Sequence, residues 1–340
     1  MLKEAMFYRE LENGTAECFL CVLNCKIKEG KKGKCRVRKN IRGKLYSLIY
    51  GELTSFSVDY IEKAPLYHFY PSHKFLNVGS AGCNLNCKFC LAWTITQVEP
   101  EKIKKEEFTP EKIVEAVKAI GCKGIVYTHS EPTLNLEFYA EVMKLARREK
   151  LKNVFATNGF ISQEAFNFIA PYVDAVALTF KGSAKFYREI CNVKFQEKHF
   201  VELCREIKKR KIHLELVYVL IPGFNDSKEE IEKVSGLANE APLIFLRFFP
   251  SYRMDKIESP KEEELERALE IAHKAGVKHA YIENIFSHPG KHTYCEHCGR
   301  VLIRREGFGV VEYNVKKGKC AFCGAPSSTV GEPILVSAKL

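Results

Sequence analysis

Seven short runs of β-forming residues recur through the middle of the chain, each separated from the next by a stretch of helical character. They are Lys74 to Gly79, Gly124 to Thr128, Asn153 to Thr157, Val173 to Thr179, His213 to Leu220, Leu243 to Phe248 and His279 to Glu283. Strands that alternate with helices run in one direction, which predicts an α/β fold with a parallel sheet, open or curled into a full or partial barrel. The connecting helices have readable ends. Thr109-Pro110 predicts a cap and first-turn proline before Ile113, Val114, Val117 and Ile120 at helical spacing. Capping boxes are predicted at Ser227 with Glu230 and at Ser259 with Glu262, the second with Pro260 in the first turn and Gly276 ending the helix.

The 340 residues are 46% hydrophobic and 28% charged, which excludes a disordered, collagen-like or coiled-coil chain. No apolar run approaches the roughly 18 to 20 residues of a membrane span. Met1-Leu2-Lys3-Glu4 puts an acid where a signal peptide needs a basic and then apolar stretch, so a cytoplasmic protein is expected.

Charge and cysteine divide the chain into three expected units: a cysteine-rich extension over 1–50, the α/β body over 51–290 and a four-cysteine segment over 291–340. The net charge of +11 lies in the two ends, which hold 12 basic against 5 acidic and 8 against 4 residues, while the middle balances at 33 of each. The ends also hold eight of the fourteen cysteines. A reducing compartment favours metal ligation over disulfides, and bound thiolates would offset the basic excess; an anionic surface is the other reading of that charge. Cys18, Cys21, Cys25 and Cys35 could close a zinc site or fully ligate an auxiliary [4Fe-4S] cluster. Cys295 with Cys298, and Cys320 with Cys323, form two C-x2-C-G knuckles suited to a tetrahedral zinc-ribbon site or to rubredoxin-like iron. Cys122, Cys191 and Cys204 stand alone and read as small buried residues.

The densest signal is Cys83-Asn84-Leu85-Asn86-Cys87-Lys88-Phe89-Cys90, directly after a predicted strand. Three thiolates so spaced can hold three corners of a [4Fe-4S] cube and leave the fourth iron open to a chelating cofactor. A zinc site awaiting a distant ligand is the alternative. The strand-to-loop setting and Phe89 resemble the radical S-adenosylmethionine (SAM) superfamily. That resemblance implies that SAM binds the open iron and is reductively cleaved to a 5'-deoxyadenosyl radical, which abstracts a hydrogen atom.

Further stretches resemble one branch of that superfamily. These are Ile61 to Phe69, Trp93 and Gln97, Tyr127-Thr128 with Glu131-Pro132-Thr133, Thr157-Asn158-Gly159, Ile221-Pro222-Gly223 with Asn225-Asp226-Ser227, and Arg247 with Pro250, Tyr252 and Met254. They look like the pyruvate formate-lyase activating enzyme-like proteins of the AmmeMemoRadiSam type. The resemblance implies a partial (β/α)6 barrel with cluster and SAM in the loops at the strand C-terminal ends. It also implies that Ser130-Glu131 meets the SAM ammonium, that Thr157 and Asn158 meet its ribose or carboxylate, that Phe89 and the Leu220-Ile221-Pro222 turn flank adenine, and that Arg247 faces the carboxylate or ribose.

The chain departs from that family's pattern at Leu91-Ala92, Ala177, Thr179, Val217-Tyr218, Ile244, Leu246 and Phe249, where relatives carry mostly polar groups. Residues two apart on a strand share a face, so Phe245, Arg247 and Phe249 are expected to point together. Lost polar groups around one cavity favour a substrate that needs no hydrogen bonds. The expected function is hydrogen abstraction from an unactivated carbon of an apolar substrate, in its sharpest form a lipid hydrocarbon chain undergoing C–C bond formation at a peripheral membrane contact. A glycyl-radical activase acting on a partner protein is the alternative implied by the family's name. An RNA-modifying enzyme comes third, because a base needs polar groups to read it, and a non-catalytic iron-sulfur carrier comes last. A ferredoxin- or flavodoxin-like electron donor is implied in each catalytic case.

Overall fold

The computed structural model describes residues 2–238 and 240–336; Met1 and residues 337–340 of the expected end units lie outside them. The seven predicted strands and one more form one eight-stranded sheet in sequential order: β1 Ser55–Tyr60, β2 Lys74–Gly79, β3 Gly124–Tyr127, β4 Lys152–Thr157, β5 Ala175–Phe180, β6 His213–Leu220, β7 Leu243–Arg247 and β8 Ala280–Glu283. Strands β2 to β8 are parallel, whereas β1, absent from the sequence expectation, pairs antiparallel with β2 at the edge. Six helix-bearing crossovers join the parallel strands, as in a partial (β/α)6 barrel with a seventh closing strand.

Alternation along the strands separates two cores. Phe75, Val126, Val154, Ala175, Ala177 and Val217 pack inside against Ile61, Ala64, Leu66 and Phe69. Leu76, Val78, Tyr127, Phe155, Leu178, Leu216, Tyr218 and Phe245 face the helices. The segment from Ile61 to Phe69 therefore forms a floor inside the barrel. Glu215 of β6 fixes it by accepting the Tyr67 and His68 N–H groups, both at 2.8 Å.

The C-terminal unit seals the outside of that floor. Tyr70 N–H donates to Val330 O and Val330 N–H to His68 O, each at 2.7 Å, and Arg305 Nη2 donates to Tyr67 O at 2.6 Å. The N-terminal unit folds as two three-stranded antiparallel sheets, one of them Tyr8–Glu10, Ala16–Cys18 and Cys25–Ile27. Its Arg38 forms a buried fork to both oxygens of Glu137, at 2.7 Å each, on the helix Leu136–Arg148.

Two helix ends differ from expectation. The Thr109 cap holds, with its hydroxyl accepting from Lys112 N–H ahead of Pro110–Ile120. At Ser227 only half the box forms, because the Glu230 carboxylate accepts from Ser183 N–H instead of turning back. The last helix starts at Glu262 rather than near Pro260. Glu264 accepts from Lys261 N–H, and Pro260 spends its carbonyl on Arg247.

Candidate active site and metal centres

The strand C-terminal ends open into one cavity of about 360 Å³, and Cys83, Cys87 and Cys90 lie on its wall. The loop that carries them is clasped from three sides. Asn86 and Lys88 N–H groups donate to Cys191 O and Ile190 O, Arg253 N–H donates to Lys88 O, and Ser251 Oγ donates to Cys90 O. Trp93 stacks on Tyr252 at 5.3 Å, and Gln97 Nε2 donates to Leu85 O. Asn158, ending β4, donates to Asn84 Oδ1 at 2.8 Å and stands 3.6 Å from Cys83 Sγ, while Thr96 Oγ1 stands 3.2 Å from Cys90 Sγ.

Close backbone packing at the neighbouring strand end aims the next residues. A Cβ on Gly79 would lie 2.8 Å from Thr128 O and 2.9 Å from His129 Cβ, so only glycine lets the two strand ends meet. His129 takes a left-handed φ of 63°, a strained turn for this residue, and brings Ser130 and Glu131 to the cavity.

Glu131 is buried and already engaged. Oε1 accepts from Thr133 N–H, Thr133 Oγ1 and Thr157 Oγ1, while Oε2 accepts only from Asn158 N–H at 2.8 Å. Burial raises its carboxyl above the ordinary range despite these donors. A carboxylate accepts at about four sites, so Oε2 is the oxygen with room for an ammonium. Arg247 donates Nε to Pro260 O at 2.9 Å and lines the cavity.

Burial also holds the Cys83 and Cys90 thiols above their ordinary range, while Cys87 is raised by Cys191 and then by burial. Ligation by iron would deprotonate them. Lys181, over the Phe89 ring at 5.5 Å, supplies compensating charge: burial lowers its ammonium, and the neighbouring Cys87 and Cys191 more than reverse that. Ser130 Oγ is buried at the wall with no partner among the described residues, a group that a bound ligand would satisfy. A three-thiol set, a nearby cation and an unpaired hydroxyl fit a [4Fe-4S] cluster with SAM on its open iron.

Of the expected SAM residues, Phe89, Ser130, Glu131, Thr157, Asn158 and Arg247 all line this cavity. Ile221 does not. Its N–H donates to Asn225 Oδ1, which closes the turn and buries Ile221 in the helix-side core, and Val219 lines the cavity instead. The expected apolar lining holds for Leu91, Ala92, Ala177, Thr179, Val217, Leu246 and Phe249. Tyr218 points the other way and donates its hydroxyl to Asn225 O, because it alternates with Val217. The same alternation corrects β7: Phe245 packs on the helix side, and Arg247 reaches the cavity only because the strand ends there. Lys181, His129 and Thr96 were missed. Lys181 follows the end of the fourth predicted strand, β5 here, a readable position; Cys191 beside Cys87 left no sequence signal.

The C-terminal cysteines converge tightly. Cys295 and Cys323 sulfurs are 3.6 Å apart and Cys298 and Cys320 sulfurs 3.8 Å apart, and all four lie within 4.8 Å of one another. A tetrahedral ion with metal–sulfur bonds near 2.3 Å sets its sulfurs about 3.8 Å apart, so this set could hold one metal ion. Gly299 and Gly324, with φ of 69° and 75°, turn the two knuckles. Cys18, Cys21, Cys25 and Cys35 line a separate small space beside Arg38 and Asn84.

A family model described as the radical SAM superfamily matches residues 77–234. An uncharacterized protein from Methanocaldococcus jannaschii is 37% identical, covering 95% of this chain and 98% of its own. A putative glycyl-radical enzyme activating enzyme from the same organism is 24% identical, covering 70% of this chain and 95% of its own. A radical SAM methyltransferase structure from Sphaerobacter thermophilus aligns at 18% identity and TM-score 0.47, covering 66% of this chain and 71% of its own. With the three-cysteine loop at the mouth of a parallel α/β barrel, the family-model and sequence matches make the chain a member of the radical SAM superfamily of enzymes.

Proposed function

We propose that the protein abstracts a hydrogen atom from an unactivated C–H bond of an apolar substrate, in its sharpest form a lipid hydrocarbon chain that then forms a C–C bond. One observation carries the reading: the cavity that holds the three thiols is walled on its strand side by Ala156, Ala177, Val217, Val219 and Leu246. A polar group facing a hydrocarbon would stay unpaired at about 1–3 kcal/mol, and this wall offers few. Leu91 and Phe249, 65% and 41% exposed, extend the apolar surface to the mouth. The lipid version rests on this lining alone, with the basic ends available to anionic headgroups at a peripheral membrane contact. Among the described residues no helix is long and apolar enough to cross a membrane.

Bound at Cys83, Cys87 and Cys90, the cluster with SAM supplies a carbon radical able to attack such a bond, given an electron from a ferredoxin- or flavodoxin-like donor. The chain's own residues position and enclose. Asn158 and Thr96 orient the thiolates, Glu131 Oε2 takes the SAM ammonium, and Arg247 takes its carboxylate or ribose. Phe89 covers the adenine, and Pro65 on the floor helps exclude water from below. For the four C-terminal cysteines the proposal is a redox-silent structural zinc ion.

A second reading, a glycyl-radical activase acting on a partner protein, is favoured by the name of the 24% identical relative. The test incubates anaerobically reconstituted protein with SAM, reductant and lipids deuterated along the chain. Deuterium in 5'-deoxyadenosine supports the apolar-substrate reading. Deuterium absent with lipids but present with a glycine-deuterated partner protein replaces it with the activase.

A further inference from the structure

The geometry points to a second [4Fe-4S] cluster, ligated on all four irons by Cys18, Cys21, Cys25 and Cys35. The molecule contains its own ruler for choosing between a single ion and a cluster. The C-terminal sulfurs all lie within 4.8 Å of one another, as one tetrahedral ion requires, and among the described residues the N-terminal cysteines form no such group. Among the described residues Cys83, Cys87 and Cys90 form none either. A cube separates its thiolates because each bonds a different iron. By this measure the N-terminal set matches the cluster loop and not the C-terminal ion site.

The surroundings suit a buried anionic group with sulfur acceptors. Arg38 is 1% exposed and lines the same space. Its Nη atoms bond Glu137 and Met6 O, while Nε has no partner among the described residues. Thiolate or sulfide would satisfy that donor and be partly neutralised by it. Asn84, the residue after Cys83, lines the space too, so the two cluster sites adjoin through the cluster loop.

This assignment is independent of the hydrogen-abstraction reading, and one variant separates them. Full-length Cys83→Ala, Cys87→Ala, Cys90→Ala protein is reconstituted anaerobically with iron and sulfide. The expected result is iron and acid-labile sulfide in equal amounts, with an electron paramagnetic resonance signal after dithionite that SAM does not alter. Zinc, or iron without sulfide, overturns the proposal. Adding Cys18→Ser and Cys25→Ser should remove the sulfide, and sulfide retained there overturns it equally. Should these chains misfold, Mössbauer spectra of the wild-type protein must contain a [4Fe-4S] component unperturbed by SAM, and its absence overturns the proposal. A failure of the radical SAM reading would show instead as a wild-type protein with no SAM-responsive cluster.

Discussion

Asn158 ties the end of the third parallel strand to the cluster loop, donating to Asn84 Oδ1 at 2.8 Å while its backbone N–H donates to Glu131 Oε2 at 2.8 Å. One residue thus joins the thiols proposed to hold the cluster to the carboxylate proposed to meet SAM. Asn158→Ala leaves Asn84 Oδ1 without this buried donor, at a cost of about 1–3 kcal/mol. Iron bound at the three-cysteine site should fall, and the melting temperature should drop by several degrees. Unchanged iron content would show that the loop is held by its other clasps.

Glu131→Gln replaces an acceptor with a donor in a pocket where four donors from the chain converge. The variant should bind SAM at least tenfold more weakly and also lose about 1–3 kcal/mol of stability. Isothermal titration and denaturant unfolding report the two effects separately. Full SAM affinity in a destabilised variant would leave Glu131 a purely structural role.

The barrel floor should make stability depend on pH. Glu62 is buried, with Oε1 3.8 Å from Arg305 Nε and accepting from Ser72 N–H, and Oε2 without a partner among the described residues. Burial, opposed by Arg305 and that N–H, raises its carboxyl from 4.5 to about 7. The folded state therefore holds this proton more tightly than the unfolded state. Its contribution is complete below the unfolded value of 4.5 and is lost as pH rises to about 7. The change is at most about 3 kcal/mol. Glu62→Gln should flatten this slope in urea unfolding, and an identical slope in the variant would assign the dependence elsewhere.

The C-terminal unit buries only a small core, Cys295, Leu302, Ile303, Val310, Val315 and Cys320. So little apolar surface needs a metal staple. In the full chain, Cys298→Ser should release the metal and expose residues 291–336 to protease while the three-cysteine cluster persists. Elemental analysis of the wild type should find zinc. Iron with rubredoxin-like absorbance would make the unit an electron-transfer module.

The sequence made the parallel strands legible because each is a β-rich run bounded by a helix, and it made the cluster loop legible through spacing. It missed β1, although Ser55–Tyr60 alternates polar and apolar residues as a strand does; its burial does not follow that alternation, because the strand lies at the sheet edge with most residues half-buried. Tyr218 was misplaced because comparison with relatives treated it and Val217 as a pair, although adjacent strand residues face opposite sides. Cys191 reaches Cys87 through tertiary folding of a loop more than 100 residues away, which no local pattern encodes.

The apolar wall makes the sharpest prediction about substrate. Val217 lines the cavity on the inward face of β6, in register with Thr179 of β5 and Ile244 of β7, and packs in the inner core with Ala177 and Leu246. Val217→Thr keeps nearly the same shape and adds one hydroxyl. A hydrocarbon offers that hydroxyl no partner, and a cost of up to about 1–3 kcal/mol lowers kcat/KM by as much as roughly 5- to 150-fold. A peptide loop could offer it a carbonyl or amide, and the loss would then be small. Parallel assays with the deuterated lipid and the partner protein should therefore show the loss with the lipid. A variant that processes the lipid as well as the wild type does would mean that the substrate does not rest against this wall.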